Sequence, residues 1–231
     1  MAEASRWSAE LVGGHPALDL VNSVSWRLDE ARTIDRLPDD DALVRWAAAV
    51  GLGRIAGEWV DGSAAVRAVR ELRESAYEVL APLAVGGEPD PAAVRRLREL
   101  VVAALAVADV AEVVPLRWTI RPSDVAVPAS AGGMAPVDRD RLAGLRLPAV
   151  LTLNDLPALL ALVVWRLLED ERLDRLKQCQ DGGCGWLFLD RTKNASRRWC
   201  SSADCGNRSR ARRHYQRRRD PALPPAEAQR S

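Results

Sequence analysis

Cys179-Gln180-Asp181-Gly182-Gly183-Cys184 is followed, after fifteen residues, by Cys200-Ser201-Ser202-Ala203-Asp204-Cys205, and these are the only four cysteines of the 231-residue chain. Two close pairs separated by about a hairpin's length can converge on one tetrahedral ion, and zinc is the metal that four sulfurs favour. Gly182, Gly183 and Gly185 leave the backbone free to turn tightly there, so that successive thiolates face one centre. Disulfides and isolated buried thiols compete with this reading. Met1 to Glu10 shows no export signal, which predicts a cytoplasmic protein with reduced thiols, and every cysteine falls within 27 residues, which speaks against isolated thiols. A catalytic zinc would need an open position, and four sulfurs close the shell. The segment therefore predicts one structural Zn2+ per chain, held by Cys179, Cys184, Cys200 and Cys205, with no catalytic residues.

Outward from the cysteines, Trp186, Phe188 and Asp190 alternate as the first strand of a short ribbon, and Trp199 is placed to cover the metal. The run from Asn207 to Arg219 then reads as a helix ending at Asp220 and Pro221. At helical spacing Arg208, Arg212 and Arg219 share a side with Tyr215, while Arg210, Arg213 and Arg217 form a second ridge; Ala211 and Tyr215 remain to pack inward. Residues 1–171 carry a net −8 and residues 172–219 a net +10, although the whole chain is only +1. Like-charge pairs such as Arg208 with Arg212 cost about 0.2–0.5 kcal/mol each in an isolated helix, and a phosphate backbone reverses that sign. Arg197, Arg198, Asn207, Arg208, Arg210, Arg212, Arg213 and Arg217 are therefore the candidate nucleic-acid contacts. The competing reading is a solvated basic helix, or one docked on the acidic domain.

The remainder is of globular composition, 48% apolar and 28% charged. Its pattern predicts a helix from His15 to Trp26, another behind Asp39, Asp40 and Asp41 with Leu43, Trp46 and Ala47 inward, and a long one from Ala64 to Leu83. Asp90 and Pro91 open a fourth, striped by Val94, Leu97, Val101, Leu105 and Ala108 and ending near Pro115. Leu116 to Ile120 alternates as a strand, with Val125 to Val127 as its expected partner and loop as far as Gly133. The apolar run Leu156 to Trp165 is too short to span a bilayer and reads as a buried helix, continuing through Leu173 and Leu176 towards Cys179. The fold class is mainly α with a small β element: a helical domain over 1–171, a four-cysteine module over 172–219, treble-clef-like or ribbon-like, and a disordered tail over 220–231.

The cysteine segment resembles the CGNR zinc fingers, through Cys205-Gly206-Asn207-Arg208, the first cysteine pair, Phe188-Leu189-Asp190, Asn194, Arg197 to Ser201 and the basic helix. Leu18 to Ser23, with Leu43, Trp46 and Gly51-Leu52, resembles the ABATE domain that usually precedes this finger. The resemblance implies a bacterial transcription regulator with the four cysteines as zinc ligands and the finger as its DNA-binding module. Ser202, Ser23 and Arg210 depart from the methionine, threonine and lysine usual at those places, and none of the three is a metal ligand.

His15, Asp19 and Asn22 fall on one side of the first helix as a candidate ligand pocket, against the alternative that His15 caps the helix while Asp19 and Asn22 bond to backbone. With two histidines and no phosphate-cradling glycine loop, the chain does not read as an enzyme. DNA is the expected partner, with the helical domain sensing a small-molecule effector or forming a homodimer, and no membrane involved. An RNA-binding or protein-interaction module is the alternative, in which an exposed Trp186 or Phe188 would stack on unpaired bases.

Overall fold

The computed structural model describes residues 11–53, 55–56, 64–121, 144–148 and 151–219. The first helix, α1 (Pro16–Val21), opens where the His15 imidazole accepts from the Ala17 N–H at 3.2 Å and proline supplies the first turn. It is shorter than its pattern predicts. The chain leaves the helical path at Asn22, Val24–Ser25 (β1) pairs antiparallel with Ile34–Asp35 (β2), and Trp26 takes a left-handed φ of 56°.

Asp39 caps α2 (Asp40–Ala49) by accepting from the Ala42 N–H at 2.7 Å, and Leu43, Trp46 and Ala47 are buried as predicted. Past the short strand β3 (Ile55–Ala56), α3 (Ala64–Ala84) buries Val69, Leu72, Ala76 and Val79. Asp90 caps α4 (Pro91–Val107). Its inward stripe is Ala93, Leu97, Val101 and Ala104, while Val94 is exposed. The small alanines let α4 lie close on its neighbours, which rotates the predicted stripe.

α4 stops at Val107, short of Pro115, because Val107, Val110 and Val113 favour extended backbone. Ala108–Val113 becomes β4 and pairs antiparallel with β5 (Leu116–Ile120) across Val114 and Pro115. The predicted strand is therefore present, with a partner that precedes it in sequence. Residues 125–127 and the expected loop to Gly133 lie outside the described residues, as do residues 220–231.

β6 (Leu151–Thr152) runs parallel to β3, and the Asp155 carboxylate accepts from the Thr152 N–H at 2.7 Å to start α5 (Leu156–Leu168). α5 buries residues all round, from Leu156, Leu159 and Leu160 to Val163, Val164 and Leu167, so it takes the centre of the body. It packs against both α3 and α4, and α1 packs against α3 and α5. The predicted continuation through Leu173 does not form: Asp170 accepts from the Arg172 N–H at 2.9 Å and restarts the chain as a 3-10 turn over Glu171–Arg175. β7 (Leu176–Gln178), β8 (Leu187–Leu189) and α6 (Asn207–Arg219) complete the chain. Among the described residues no helix is long and apolar enough to cross a membrane.

Leu160 is fully buried in α5. Leu160→Ala should lower the unfolding free energy by about 2–5 kcal/mol through lost transfer energy and an unfilled cavity, read as a lower midpoint in urea denaturation.

Candidate metal centre and nucleic-acid interface

β7 and β8 pair antiparallel in the register Leu176↔Leu189, Lys177↔Phe188 and Gln178↔Leu187. Leu176, Leu187 and Leu189 join the body's core, whereas Phe188 packs with the four cysteines, Trp186 and Trp199. β8 is thus a wall shared by both. Its edge is joined to α1 by one side chain: Asn22 Nδ2 donates to the Leu187 carbonyl at 2.8 Å, and the Leu187 N–H donates to Asn22 Oδ1 at 2.8 Å. The primary amide stands in for a neighbouring strand.

The chain makes two knuckles, the first in the loop that joins β7 to β8 and the second between β8 and α6. In the first, the Cys179 N–H donates to the Trp186 carbonyl at 2.8 Å and the Cys184 N–H to the Asp181 carbonyl at 2.9 Å. Gly185 sits at φ 73°, and a Cβ there would lie 2.9 Å from the Arg27 Cβ, so glycine is required. In the second, the Ser201 hydroxyl accepts from the Asp204 N–H at 3.2 Å, and the turn over Ser202–Gly206 delivers Cys205 directly to the start of α6. A hairpin followed by a helix that begins at the last cysteine is treble-clef-like.

All four sulfurs are buried and lie within 4.8 Å of one another. A tetrahedron with metal–sulfur bonds of about 2.3 Å has edges of about 3.8 Å. The Cys184–Cys200 and Cys200–Cys205 sulfurs stand 3.7 and 3.5 Å apart, too far for a disulfide and right for a shared ion. Hydrogen bonds from Cys184, Cys200 and Cys205 hold the Cys179 thiol far below its usual range, while donating to Cys179 pushes Cys200 and Cys205 up. Without an ion the cluster tolerates little negative charge, and a divalent cation relieves that crowding. The cluster is a single zinc site.

The basic segment divides into two faces. On one, Arg208 Nε donates to Asp181 Oδ2 at 2.9 Å and Arg212 pairs with the other oxygen of that carboxylate, which is 1% exposed. Burial raises the Asp181 pKa, but hydrogen bonds from Arg208 and Arg212 outweigh it and leave the carboxyl below its ordinary value. Arg208 also donates to the Cys205 sulfur at 2.8 Å. On the other face Arg198, Arg210 and Arg213 gather around Trp199 and the start of α6, with Asn207 beside them. Arg198 and Arg210 are exposed, and among the described residues no carboxylate pairs with any of the three. Arg197 is half-buried, 4.1 Å above the Phe188 ring, and donates to the Val12 and Trp199 carbonyls, so it holds the second knuckle in place. The Arg217 side chain lies outside what is described. Neither Ala211 nor Tyr215 packs inward; Tyr215 is 67% exposed, because zinc and the arginine pairs hold the helix without a core of its own.

Two residues carry weight that their sequence pattern did not reveal. Asp181 anchors α6, and Asp190 accepts from Lys177 at 2.7 Å and from the Thr192 and Arg197 N–H groups at 2.9 Å each, fixing the loop between the knuckles. The available signal was their rarity: 172–219 contains four acids among fourteen basic residues. Of the N-terminal trio, His15 caps α1, Asp19 Oδ1 accepts from the Gly13 N–H at 2.9 Å, and Asn22 holds β8, so all three bond to backbone.

Cys200→Ser should abolish stoichiometric zinc after dialysis, measured by elemental analysis, and unfold the finger, since structural zinc supplies on the order of 10–16 kcal/mol of apparent folding energy. Asn22→Leu leaves the buried Leu187 N–H and carbonyl unpaired. It should cost about 2–4 kcal/mol in chemical denaturation.

Residues 14–170 match the family model ABATE, described as "Putative stress-induced transcription regulator", and residues 175–218 match the CGNR zinc finger. A comparison with curated proteins gives no match. The first model covers more than half of the chain and adjoins a zinc centre of the kind that the second names; the chain belongs to the ABATE family and carries a CGNR zinc finger behind that domain.

Proposed function

We propose that the chain is a non-enzymatic, cytoplasmic bacterial transcription regulator whose finger binds duplex DNA. The observation that carries this reading is the division of the arginines. Arg208 and Arg212 share the single buried carboxylate of Asp181, while Arg198, Arg210 and Arg213 stand together without an acidic partner among the described residues, at the point where zinc fixes the helix. Asn207 lies beside this ridge, accepting from Arg210, and Arg217 is joined to it in this proposal on the sequence pattern alone. Clustered guanidinium groups on a rigid support repel one another and gain most from a phosphate backbone.

Phe188 is fully buried, and the Trp186 ring is fastened by its N–H to the Val24 carbonyl at 2.8 Å. Phe188 therefore offers no face for stacking on unpaired bases, and the half-buried Trp186 is held to the body through its N–H, which favours duplex DNA over single-stranded RNA. The helical body is then the element that senses an effector or forms a homodimer; a division into a 1–171 region and a 172–219 finger is supported by the 3-10 turn over Glu171–Arg175 that follows α5.

If about five phosphates are neutralised, log K should fall against log salt with a slope of about −4 to −5. The triple variant Arg198→Ala, Arg210→Ala, Arg213→Ala should retain zinc, lose affinity for all duplex sequences alike, and flatten that slope by about 3 in an anisotropy titration. An unchanged slope in a zinc-loaded variant would overturn the assignment.

A further inference from the structure

Between the loop that follows β1 and the Asp181-facing side of α6 lies an open cleft of about 340 Å³. Its loop side is held by the finger itself. The Arg27 N–H donates to the Cys184 carbonyl at 3.1 Å and the Leu28 N–H to the Gly183 carbonyl at 3.3 Å, so the first zinc knuckle fixes Trp26 in its left-handed conformation. A bulky residue persists at a positive φ only where its surroundings hold it, and such positions concentrate at binding sites.

The indole of Trp26 orders two cations from distant parts of the chain. The Arg32 guanidinium lies 3.3 Å from its ring centroid and that of Arg208 4.5 Å. Among the described residues Arg32 meets a carboxylate only at Asp29, 3.9 Å away, which leaves its hydrogen-bond donors largely unused. Outside the zinc shell, Arg32, Arg208 and Arg212 face Asp29 and the buried Asp181, while Arg208 also donates to the Cys205 sulfur, so Arg32 is the cation with donors to spare. Its far wall is Tyr215, set edge-to-face against His214 and otherwise exposed.

We infer that this cleft binds a small planar aromatic monocarboxylate, its carboxylate between Arg32 and Arg208 and its ring against Tyr215. A single guanidinium with unused donors, beside a negative zinc–thiolate centre, suits one carboxylate better than a phosphate dianion, and guanidinium forks suit a planar, two-oxygen anion. The volume lies at the small end of ligand cavities, which limits the guest to one or two rings. The ligand would touch the body's loop, the knuckle and the basic helix at once, far in sequence from His15, Asp19 and Asn22.

Calorimetric titration of the zinc-loaded full chain, without DNA, tests the site directly, so its result stands whether or not the DNA reading does. Benzoate and indole-3-carboxylate should bind saturably, and cyclohexanecarboxylate, which has the same charge but no flat ring, should bind more weakly. Arg32→Gln and Tyr215→Leu alter exposed side chains and should keep zinc by elemental analysis. Each should weaken binding at least about tenfold, the loss that follows removal of one charge-assisted or stacking contact. Absence of saturable binding by both aromatic acids would overturn the proposal, as would unchanged affinity in either zinc-loaded variant. Tighter binding of adenosine monophosphate than of either acid would also overturn it, in favour of a nucleotide. So would loss of duplex binding in Arg32→Gln without any carboxylate binding, which would make the cleft a phosphate contact.

Discussion

Four sulfur atoms crowded within one another's reach are an unstable arrangement until a divalent cation draws charge onto all of them, and the two knuckles and α6 depend on that resolution. The first knuckle supports the Trp26 loop through two backbone hydrogen bonds. The second launches α6, a helix with almost no apolar face. A run of seven arginines and a single exposed tyrosine does not bury enough surface to order itself. Coordination at its first turn and two ion pairs to Asp181 do that work instead.

Charge is distributed with a purpose that net counts conceal. One fully buried carboxylate, Asp181, takes two arginines, and another, Asp190, takes Lys177 and the backbone of the inter-knuckle loop. Arg197 is committed to carbonyls and to the face of Phe188. Among the outward cations, Arg198, Arg210 and Arg213 gather around Trp199 and the start of α6. Removing the inward arginines would damage the scaffold as well as the charge, whereas the outward ones can be changed with the zinc shell left whole.

Much of this was legible from local signals. The cysteine spacing, the caps at Asp39 and Asp90, and the all-round apolarity of α5 each report on their own neighbourhood, and each element forms where those signals stand. Misreadings arose where distant contacts decide. α1 stops early because Asn22 is needed by β8; α5, by contrast, stops for a local reason, since Asp170 caps a new turn. The strand at Leu116 takes a partner from residues that read as the end of a helix. For the metal site, the ligand set was visible in the sequence, but the division of the arginines was not. Helical spacing sorts residues into ridges without saying which ridge meets a buried acid.

β8 has no free face: Leu187 and Leu189 belong to the body, Phe188 to the zinc cluster, and the Asn22 amide just past α1, with the Gly13 carbonyl, seals its edge. Fingers of this size are often treated as cassettes that evolution can cut and paste between proteins. Here such an exchange would tear out part of the recipient's hydrophobic interior, so recombination has to carry both halves together or rebuild the seam. The same sharing makes the ion a long-range clamp, since whatever tightens the sulfurs also tightens the packing beneath α1.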